Sequence, residues 1–325
     1  MSPKSLMYAA CAVSLLAGIS PPLAAQGYPT KTVRVVVPYA PGGATDLTAR
    51  TVGAKLQDTL KQTIVVDNRT GAGGTIGADI VAKAAADGYT VLLASPAEIA
   101  VLPHLQKLPY NVERDFAPVS LAVQTPLILV VHPTLPVKNV KELIALIKAR
   151  PGQMTYASAG TGGVQHLAGE LLKINYKLDM THVPYKGAGA VMPDLIGGHV
   201  PMFFSGMPPA VPHVHAGKLK ALAVTSTRRS VTVPDVPTMG EAGVPNFVIT
   251  NWFAYFVPVG TPAAAISRLN TEINRALQLD DVKKRLASVG AETVGTTPDE
   301  LAQFVREESD KFAKLIKLSG AKGTD

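Results

Sequence analysis

Apolar strands that alternate with helical segments constrain the fold of this chain more than any other feature. Helical patterns separate the strands, and in 137–150 the side chains of Val140, Leu143, Ile144 and Ile147 fall on one face. Strands and helices in this order predict an α/β protein whose mostly parallel sheets are covered by helices. The predicted buried strands, all rich in β-branched or other apolar residues, are 32–39, 62–67, 89–95, 126–132, 154–159, 182–185, 200–205 and 219–226.

The last third of the chain has a different character. An apolar run at 248–258 is followed by a predicted helix that starts at Thr261-Pro262. A second helix is predicted after Thr297, because Thr297-Pro298-Asp299-Glu300 has the pattern of a capping box with proline at the first helical position. This region is therefore expected to be mainly helical.

Residues 1–25 have the pattern of a cleaved signal peptide. Lys4 precedes an apolar stretch over 6–19, and Leu23-Ala24-Ala25 supplies the small residues of a cleavage site. The apolar stretch is shorter than the ~20 residues that a membrane-spanning helix needs. The sequence predicts export to the periplasm with cleavage after Ala25.

Cysteine and charge exclude several classes of protein. The one cysteine of the chain, Cys11, lies in the signal peptide, so disulfides, thiolate catalysis and Cys-ligated metals are not expected in the mature protein. The net charge of +7 is dispersed and aromatic residues make up 6%, a pattern that does not favour nucleic-acid binding. His213 and His215 have no third ligand nearby, which favours an exposed turn and predicts no metal site.

Glycine clusters follow several predicted strands. The first is Pro41-Gly42-Gly43, and others lie within 71–77, 160–163 and 187–189. A helix that starts after such a loop presents unpaired N–H groups and the positive end of its dipole, which together favour a bound anion. Neither nucleotide-binding signature is present, so no nucleotide cofactor is expected. No Lys or Arg is expected near these N–H groups, and this favours a carboxylate ligand over a polyphosphate.

Catalytic motifs are sparse. Ser158 and Ser205 lie outside any G-x-S-x-G elbow. The sequence therefore predicts that the protein is not an enzyme. An exported hydrolase that uses Ser158 and His166 is the alternative. His166, one turn into the helix after the Ser158 loop, is as compatible with a structural role as with a ligand contact. Asp46 is expected to cap its helix, with a ligand contact as the second possibility. Asn68 is interpreted as a binding-loop amide, although Asn68-Arg69-Thr70 also matches a glycosylation sequon.

An ordered set of segments resembles the Bug-type extracytoplasmic receptors of tripartite tricarboxylate transporters. The resemblance covers essentially the whole mature chain. It implies a type II periplasmic-binding-protein fold, in which two α/β lobes are joined by two crossover strands and close on a ligand. It also implies a small organic carboxylate or dicarboxylate ligand, no turnover, and delivery to the membrane permease subunits of a tripartite tricarboxylate-type transporter. The segments are YPTKTVRVVVPYAPGGATDLTAR, IVVDNRTGAGGTIGADIVAKAAADGYTVLLAS, YNVERDFAPVS, YASAGTGGVQHLAGELL, HVPYKGAGAVMPDLIGGHV, GKLKALAVTSTRRS and PDVPTMGEAGVPNF with NWFAYFVPVGTP.

The resemblance also implies which residues contact the ligand. At Ser205 the family usually has an aspartate, and the loss of that acid favours a more anionic ligand, or one without an amine. A β-branched residue at Gly43 is expected to crowd the ligand and to meet a positive φ angle. The implied ligand-binding residues are Tyr39, Gly42, Gly43, Thr45, Asp46, Asn68, Ser95, Ser158, Gly160, Thr161, His166, Tyr185, Gly187 and Ser205.

The two predicted crossovers, 121–126 and 247–252, divide the mature chain. Lobe 1 is expected to comprise 26–123 and 250–325, and lobe 2 to comprise 124–249. A receptor that presents its ligand to a membrane sensor instead of a permease is a further alternative, because it would have the same fold and the same pocket.

Overall fold

A computed structural model describes residues 27–288 and 290–319. The predicted strands are all present within this part of the chain, and 126–132 belongs to a longer strand. The strands are β1 (Val33–Val37), β2 (Ile64–Asn68), β3 (Thr90–Ala94), β4 (Phe116–Val131), β5 (Met154–Ser158), β6 (Met180–Pro184), β7 (Met202–Gly206), β8 (Lys220–Val224), β9 (Thr250–Pro258) and β10 (Glu292–Thr293).

The helices cover the faces of the sheet, and the helix after Thr297 starts at the cap that the sequence indicates. The capping box is confirmed, because the Thr297 N–H donates to Oε2 of Glu300 (2.8 Å) and the Glu300 N–H to the Thr297 hydroxyl (3.2 Å). The helices are α1 (Ala44–Leu60), α2 (Thr75–Ala82), α3 (Val112–Asp115), α4 (Val140–Ala149), α5 (Val164–Tyr176), α6 (Ala188–Ile196), α7 (Met207–His215), α8 (Ala263–Gln278), α9 (Asp280–Ala287) and α10 (Pro298–Ser319). A 3-10 turn at Ala72–Gly74, a π-helical turn at Ala97–Val101 and a 3-10 turn at Leu102–His104 lie between them.

The sheet is curled, with strand order β2-β1-β3-β9-β4-β7-β5-β6, and β8 and β10 also pair with β4. Pairing is parallel between β1 and β2, β1 and β3, β5 and β6, and β5 and β7. It is antiparallel wherever β4 or β9 takes part. The chain therefore has two parallel α/β units joined by a central antiparallel pair, and the α/β expectation is confirmed.

The central pair contains the predicted crossover 121–126 and overlaps the predicted crossover 247–252 from Thr250 onward. β4 pairs with β9 along Phe116–Pro126 and then with β7 and β8 up to Val131, so it passes from one part of the sheet to the other after Pro126. Helix α10 contacts the Ala97–Val101 turn and also α5, which are assigned to different lobes. The residue boundaries of the lobes, 26–123 with 250–325 and 124–249, stay a prediction.

Apolar cores lie on both sides of the central pair. Val35 and Leu93 of the first unit pack with Val52 of α1 and Leu269 of α8. In the second unit, Phe203 belongs to a separate cluster with side chains of α6 and α7. The predicted signal peptide lies outside the described residues. Within 27–288 and 290–319, no helix combines the length and the apolar character needed to cross a membrane.

Candidate ligand site

A cavity of about 430 Å³ lies where the carboxyl ends of β1, β3, β5, β6 and β7 meet. Its volume is within the range of roughly 300–1,000 Å³ that is usual for small-molecule sites. Ligands of open α/β sheets bind at this edge. The lining residues are Tyr39, Ala40, Pro41, Gly42, Gly43, Ala44, Thr45, Gly73, Ser95, Ala97, Thr125, Ala159, Gly160, Thr161, Gly163, Val164, Gln165, Lys186, Gly187, Ala188, Gly189, Ala190, Gly206, Pro209, Asn251 and Phe253.

The first glycine loop is held by a network of polar side chains behind the wall. Gly42 adopts φ 83°, a conformation that favours glycine, and its N–H donates to Oδ2 of Asp46 (3.0 Å). Asn68 donates to Oδ1 of Asp46 (3.1 Å) and to the main-chain oxygen of Tyr39 (2.8 Å). Arg50 bonds to Asp46 (3.0 Å) and to Asn68 (3.1 Å). We call the side chains of Asp46, Arg50 and Asn68 the loop brace.

Asp46 carries its charge within this brace. Its burial raises the pKa of the carboxyl, but hydrogen bonds from Arg50, Gly42 and Asn68 outweigh that effect and leave the pKa below its ordinary value. Neither Asp46 nor Asn68 lines the cavity. Two roles were considered for Asp46, a helix cap and a ligand contact. The structure favours the first, because Asp46 bonds to the loop before α1 and does not line the cavity.

The opposite wall is formed by the starts of α5 and α6. Gly187, with φ 102°, precedes α6 and donates its N–H to the carbonyl of Ala159 (2.9 Å). This bond ties the loop after β6 to the loop after β5. Gly160 and Thr161 lie in the latter loop and line the cavity. The glycines thus shape two adjoining turns that lead into helices.

Three helix starts, those of α1, α5 and α6, converge on the cavity and direct their positive dipole ends toward it. The lining residues include Lys186 as the one charged side chain, and no carboxylate among the described residues lines the wall. The expectation that no lysine lies near the N–H groups is wrong. Lys186 directly precedes Gly187, and its position at the loop tip brings a cation to the cavity mouth.

Two hydroxyls on the first wall lead to a buried acid. Tyr39 and Ser95 line the cavity, and behind them Glu98 has no exposed surface. Tyr39 donates to Oε2 of Glu98 (2.6 Å), and the N–H of Ser95 donates to Oε1 (2.8 Å). Burial raises the pKa of Glu98 to about 7, although hydrogen bonds from Tyr39 and Ser95 oppose this shift.

Ser158 and His166 do not meet. The Ser158 hydroxyl lies 2.6 Å from Nε2 of His182, on the neighbouring strand, whereas Nδ1 of His166 accepts the N–H of Gly162 (3.2 Å). Ser158 has no exposed surface, and neither residue lines the cavity. The Ser158–His166 pair of the hydrolase alternative is therefore replaced by Ser158–His182. The rings of His166 and His182 are stacked, with 4.0 Å between their centroids.

Tyr185 and Ser205 also lie off the cavity wall. The Tyr185 hydroxyl donates to Asp194 (2.8 Å), and the buried Ser205 hydroxyl donates to the carbonyl of Gly206 (2.8 Å). The predicted residues that the structure does bring together on the wall are Tyr39, Gly42, Gly43, Thr45, Ser95, Gly160, Thr161 and Gly187. The predicted residues that do not line the cavity are Asp46, Asn68, Ser158, His166, Tyr185 and Ser205.

Sequence patterns missed several wall residues. Thr125, Asn251 and Phe253 come from the central pair of strands, and Gln165 lies beside His166 at the start of α5. A larger groove of about 950 Å³ lies elsewhere, against α10, and includes Tyr110 and Phe256. None of the converging helix starts reaches that groove, so the smaller cavity is the better candidate for an anion site.

This arrangement, with α/β units on either side of a central strand pair and a cavity at their strand ends, defines a two-lobed solute-binding protein. The model of the family described as "Tripartite tricarboxylate transporter family receptor" matches residues 48–321. Protein BugT of Bordetella pertussis is 43% identical over 308 residues, which is 94% of each chain. The chain belongs to this receptor family.

Solved structures have the same fold. A structure described as that of a periplasmic transporter is 38% identical, with TM-score 0.87, over 91% of this chain and 100% of the other. A protein of R. palustris with adipate is 35% identical, with TM-score 0.88, over 91% and 99% of the two chains. MatC from Rhodopseudomonas palustris with bound malate is 36% identical, with TM-score 0.84, over 89% and 100%. The two-lobed periplasmic-binding-protein fold is therefore confirmed.

Proposed function

We propose that this protein is an exported receptor that captures a small organic carboxylate in the cavity and passes it to a tripartite tricarboxylate-type membrane transporter. The observation that carries the proposal is the convergence of the α1, α5 and α6 starts on a wall with one cation and no acid among the described lining residues. Such a wall offers fixed N–H donors to an anion and has no competing negative charge.

A dicarboxylate is the ligand that this geometry favours. Helix starts lie on two sides of the cavity, one formed by the start of α1 and the other by the starts of α5 and α6. A ligand with an anionic group at each end can engage both walls at once. The adipate and malate named for two relatives have this form.

The same geometry argues against turnover. Burial, together with the neighbouring His166 and Lys173, lowers the pKa of His182 to about 3. A general base works best when its pKa lies near the working pH, so His182 is a weak base for activating Ser158. Ser158 is also bonded to the main chain of Gly160 and is closed off from the cavity. These contacts support a receptor that binds its ligand without chemistry.

The membrane partner and the compartment rest on the family and on residues 1–25. Receptors of this family serve tripartite tricarboxylate transporters, so the permease subunits are the expected partner. The signal-peptide pattern would deliver the mature chain to the periplasm. A transport assay in cells that carry or lack the receptor, followed with the labelled ligand, tests this half of the proposal.

A binding screen tests the ligand half. Mono-, di- and tricarboxylates can be compared in a thermal-shift panel. We expect the dicarboxylates to raise the midpoint temperature of unfolding, because a ligand that binds only the folded state stabilises it. Titration calorimetry would then give the affinity. Diamines of the same chain length serve as the control, because no carboxylate is among the described residues that line the cavity. Stabilisation by diamines alone would contradict the proposal.

A further inference from the structure

Three oxygen atoms form a closed triangle at the first wall of the cavity. The Tyr39 hydroxyl lies 2.6 Å from Oε2 of Glu98 and 2.7 Å from the Ser95 hydroxyl, and the Ser95 hydroxyl lies 2.8 Å from the same Oε2. Each separation is that of an O–H···O hydrogen bond. Two of the three groups face the cavity, and the acid lies behind them.

The number of protons decides the state of the acid. Tyr39 and Ser95 supply one hydroxyl proton each, which is enough for two of the three contacts. If Glu98 were ionised, one contact would bring two lone pairs together without a hydrogen between them. A protonated Glu98 supplies the third proton, and each oxygen can then donate once around the triangle.

The surroundings of Glu98 agree with a neutral acid. Its side chain has no exposed surface, and burial raises its pKa to about 7. The Tyr110 hydroxyl donates to the main-chain oxygen of Glu98 (2.8 Å), and Asp79 faces Tyr110. Helix α10 also packs against the Ala97–Val101 turn, and on this helix Lys311 pairs with Glu308 (2.9 Å). None of these groups gives the Glu98 carboxyl a cationic partner among the described contacts.

The triangle is also tightly enclosed. A Cβ atom added at Gly74 would lie 2.8 Å from Oε2 of Glu98 and 3.0 Å from the Tyr39 hydroxyl. Gly74 has φ 99°, which independently favours glycine. Neither water nor a counter-ion has room on that side, so an ionised Glu98 could not be compensated there.

We propose that Glu98 is a positioning residue that sets the ligand class of this wall. As a neutral acid it closes the triangle with Tyr39 and Ser95, and it thereby keeps negative charge away from the ligand's anionic group. An ionised Glu98 would place a buried negative charge directly behind the two hydroxyls. Capture of a dicarboxylate therefore favours the protonated state, and binding above the pKa of this acid is accompanied by uptake of one proton. This inference rests on the proposed function, because it requires an anionic ligand in the cavity.

The ionised form would favour a different ligand end. In both states the hydroxyl protons of Tyr39 and Ser95 are used within the triangle, so the two states differ toward the cavity in charge. The negative charge of an ionised Glu98 would favour a cationic end such as an amine. A carboxylate would be repelled from the same wall. The protonation of a residue that the ligand does not touch would thus decide between an anionic and a cationic group.

The first test needs no ligand. Difference infrared spectroscopy of the wild type and Glu98→Gln at about pH 6 should show the carbonyl band of a protonated carboxylic acid in the wild type alone, because other carboxyls are ionised there. The band should fade in the wild type as the pH is raised to about 8. Its absence at the lower pH would overturn the inference, whether or not the variant folds.

The second test measures affinity for adipate and malate by titration calorimetry at about pH 6 and about pH 8. The wild-type affinity is expected to fall several-fold at the higher pH, with proton uptake visible as a dependence of the heat on the buffer. Glu98→Gln should change less than about twofold between the two pH values. Glu113→Gln, on an exposed residue, is the matched control and should follow the wild type.

The two levels of the proposal can fail separately. Binding of adipate or malate that has the same pH profile in the wild type and in Glu98→Gln would overturn the role of Glu98 and leave the proposed function intact. Failure of both acids to bind, with the infrared band present, would contradict the dicarboxylate ligand while the neutral acid stands.

Discussion

The Ser158 hydroxyl lies 2.6 Å from Nε2 of His182, a residue on the adjacent parallel strand. A serine so close to a histidine has the geometry of a nucleophile and its base, but both groups are enclosed. The pKa of His182 lies near 3, and Ser158 has no exposed surface. The contact therefore fits a structural role at the turn before α5.

Replacement of Ser158 tests this structural role. Ser158→Ala should lower the free energy of unfolding by about 1–2 kcal/mol, because it leaves the partners of a buried hydroxyl unsatisfied. Urea denaturation measures that loss. Malate incubated with the wild type should be recovered unchanged by mass spectrometry. A product that disappears in Ser158→Ala would contradict the receptor and favour a hydrolase.

Gly42 and Gly43 should respond differently to substitution. Gly43 has φ −77°, so the expectation of a positive φ at this position is wrong, and the positive angle belongs to Gly42 (φ 83°). Gly42→Val should cost about 1–3 kcal/mol of backbone strain and reduce ligand affinity by roughly tenfold.

The matched control is Gly43→Ala, whose Cβ would meet its nearest neighbour, the carbonyl of Ala40, at an ordinary 3.6 Å. The free energy of unfolding of Gly43→Ala should stay within about 0.5 kcal/mol of the wild-type value. Unfolding curves and calorimetric titrations compare the two variants. If both variants lose the same stability and affinity, the loop depends on side-chain size and not on backbone conformation.

Asp46 should stabilise the protein in a pH-dependent way. Its pKa is lower in the folded state than in the unfolded chain, so its contribution is present above the unfolded value near 4 and is lost as the pH falls through the folded value. Asp46→Asn is expected to cost about 1–2 kcal/mol at neutral pH. The gap to the wild type should narrow in acid, as followed by urea denaturation. A gap independent of pH would mean that the carboxylate charge is not what holds the brace.

Glu98 should show the opposite dependence. Its pKa rises from 4.5 to about 7 on folding, so its stabilising contribution is complete below the unfolded value and is lost as the pH rises through the folded value. Relative to Glu98→Gln, the wild type should lose about 3 kcal/mol between these two pH values. Denaturation of both proteins across the interval measures the difference. A constant difference would indicate that the pKa of Glu98 is the same in the folded and unfolded states.

Lys186 should contribute to ligand affinity through its charge. Lys186→Gln is expected to weaken dicarboxylate binding about three- to tenfold at low salt and less at high salt, because the side chain is exposed and its charge is screened. Lys218→Gln, at an exposed position outside the cavity lining, is the control and should leave the affinity unchanged.

The parts of the site that follow one another along the chain could be predicted from sequence. The loop from Tyr39 to Thr45 begins at a strand end, contains glycine and leads into a helix, and each of these signals is local. The same holds for Gly160 and Gly187. These residues reach the wall because the carboxyl ends of parallel strands meet at one edge of a sheet.

The rest depends on which strands become neighbours. Ser158 and His166 are close in sequence, but the parallel pairing of β5 with β6 brings His182 beside Ser158 instead. Glu98 lies in a short apolar stretch, and nothing there indicates that α10 and the Tyr39 loop will enclose it. Thr125 and Asn251 reach the cavity through an antiparallel pair separated by more than a hundred residues.

The loop brace has a consequence for the speed of capture. Its hydrogen bonds join Asp46, Arg50 and Asn68 to one another and to the loop, and neither Asp46 nor Asn68 reaches the wall. The entropic cost of ordering the loop is therefore met when the chain folds, before any solute arrives. Association can then approach the rate at which a small anion diffuses to the cavity mouth, and differences in affinity between solutes should appear mainly as differences in residence time.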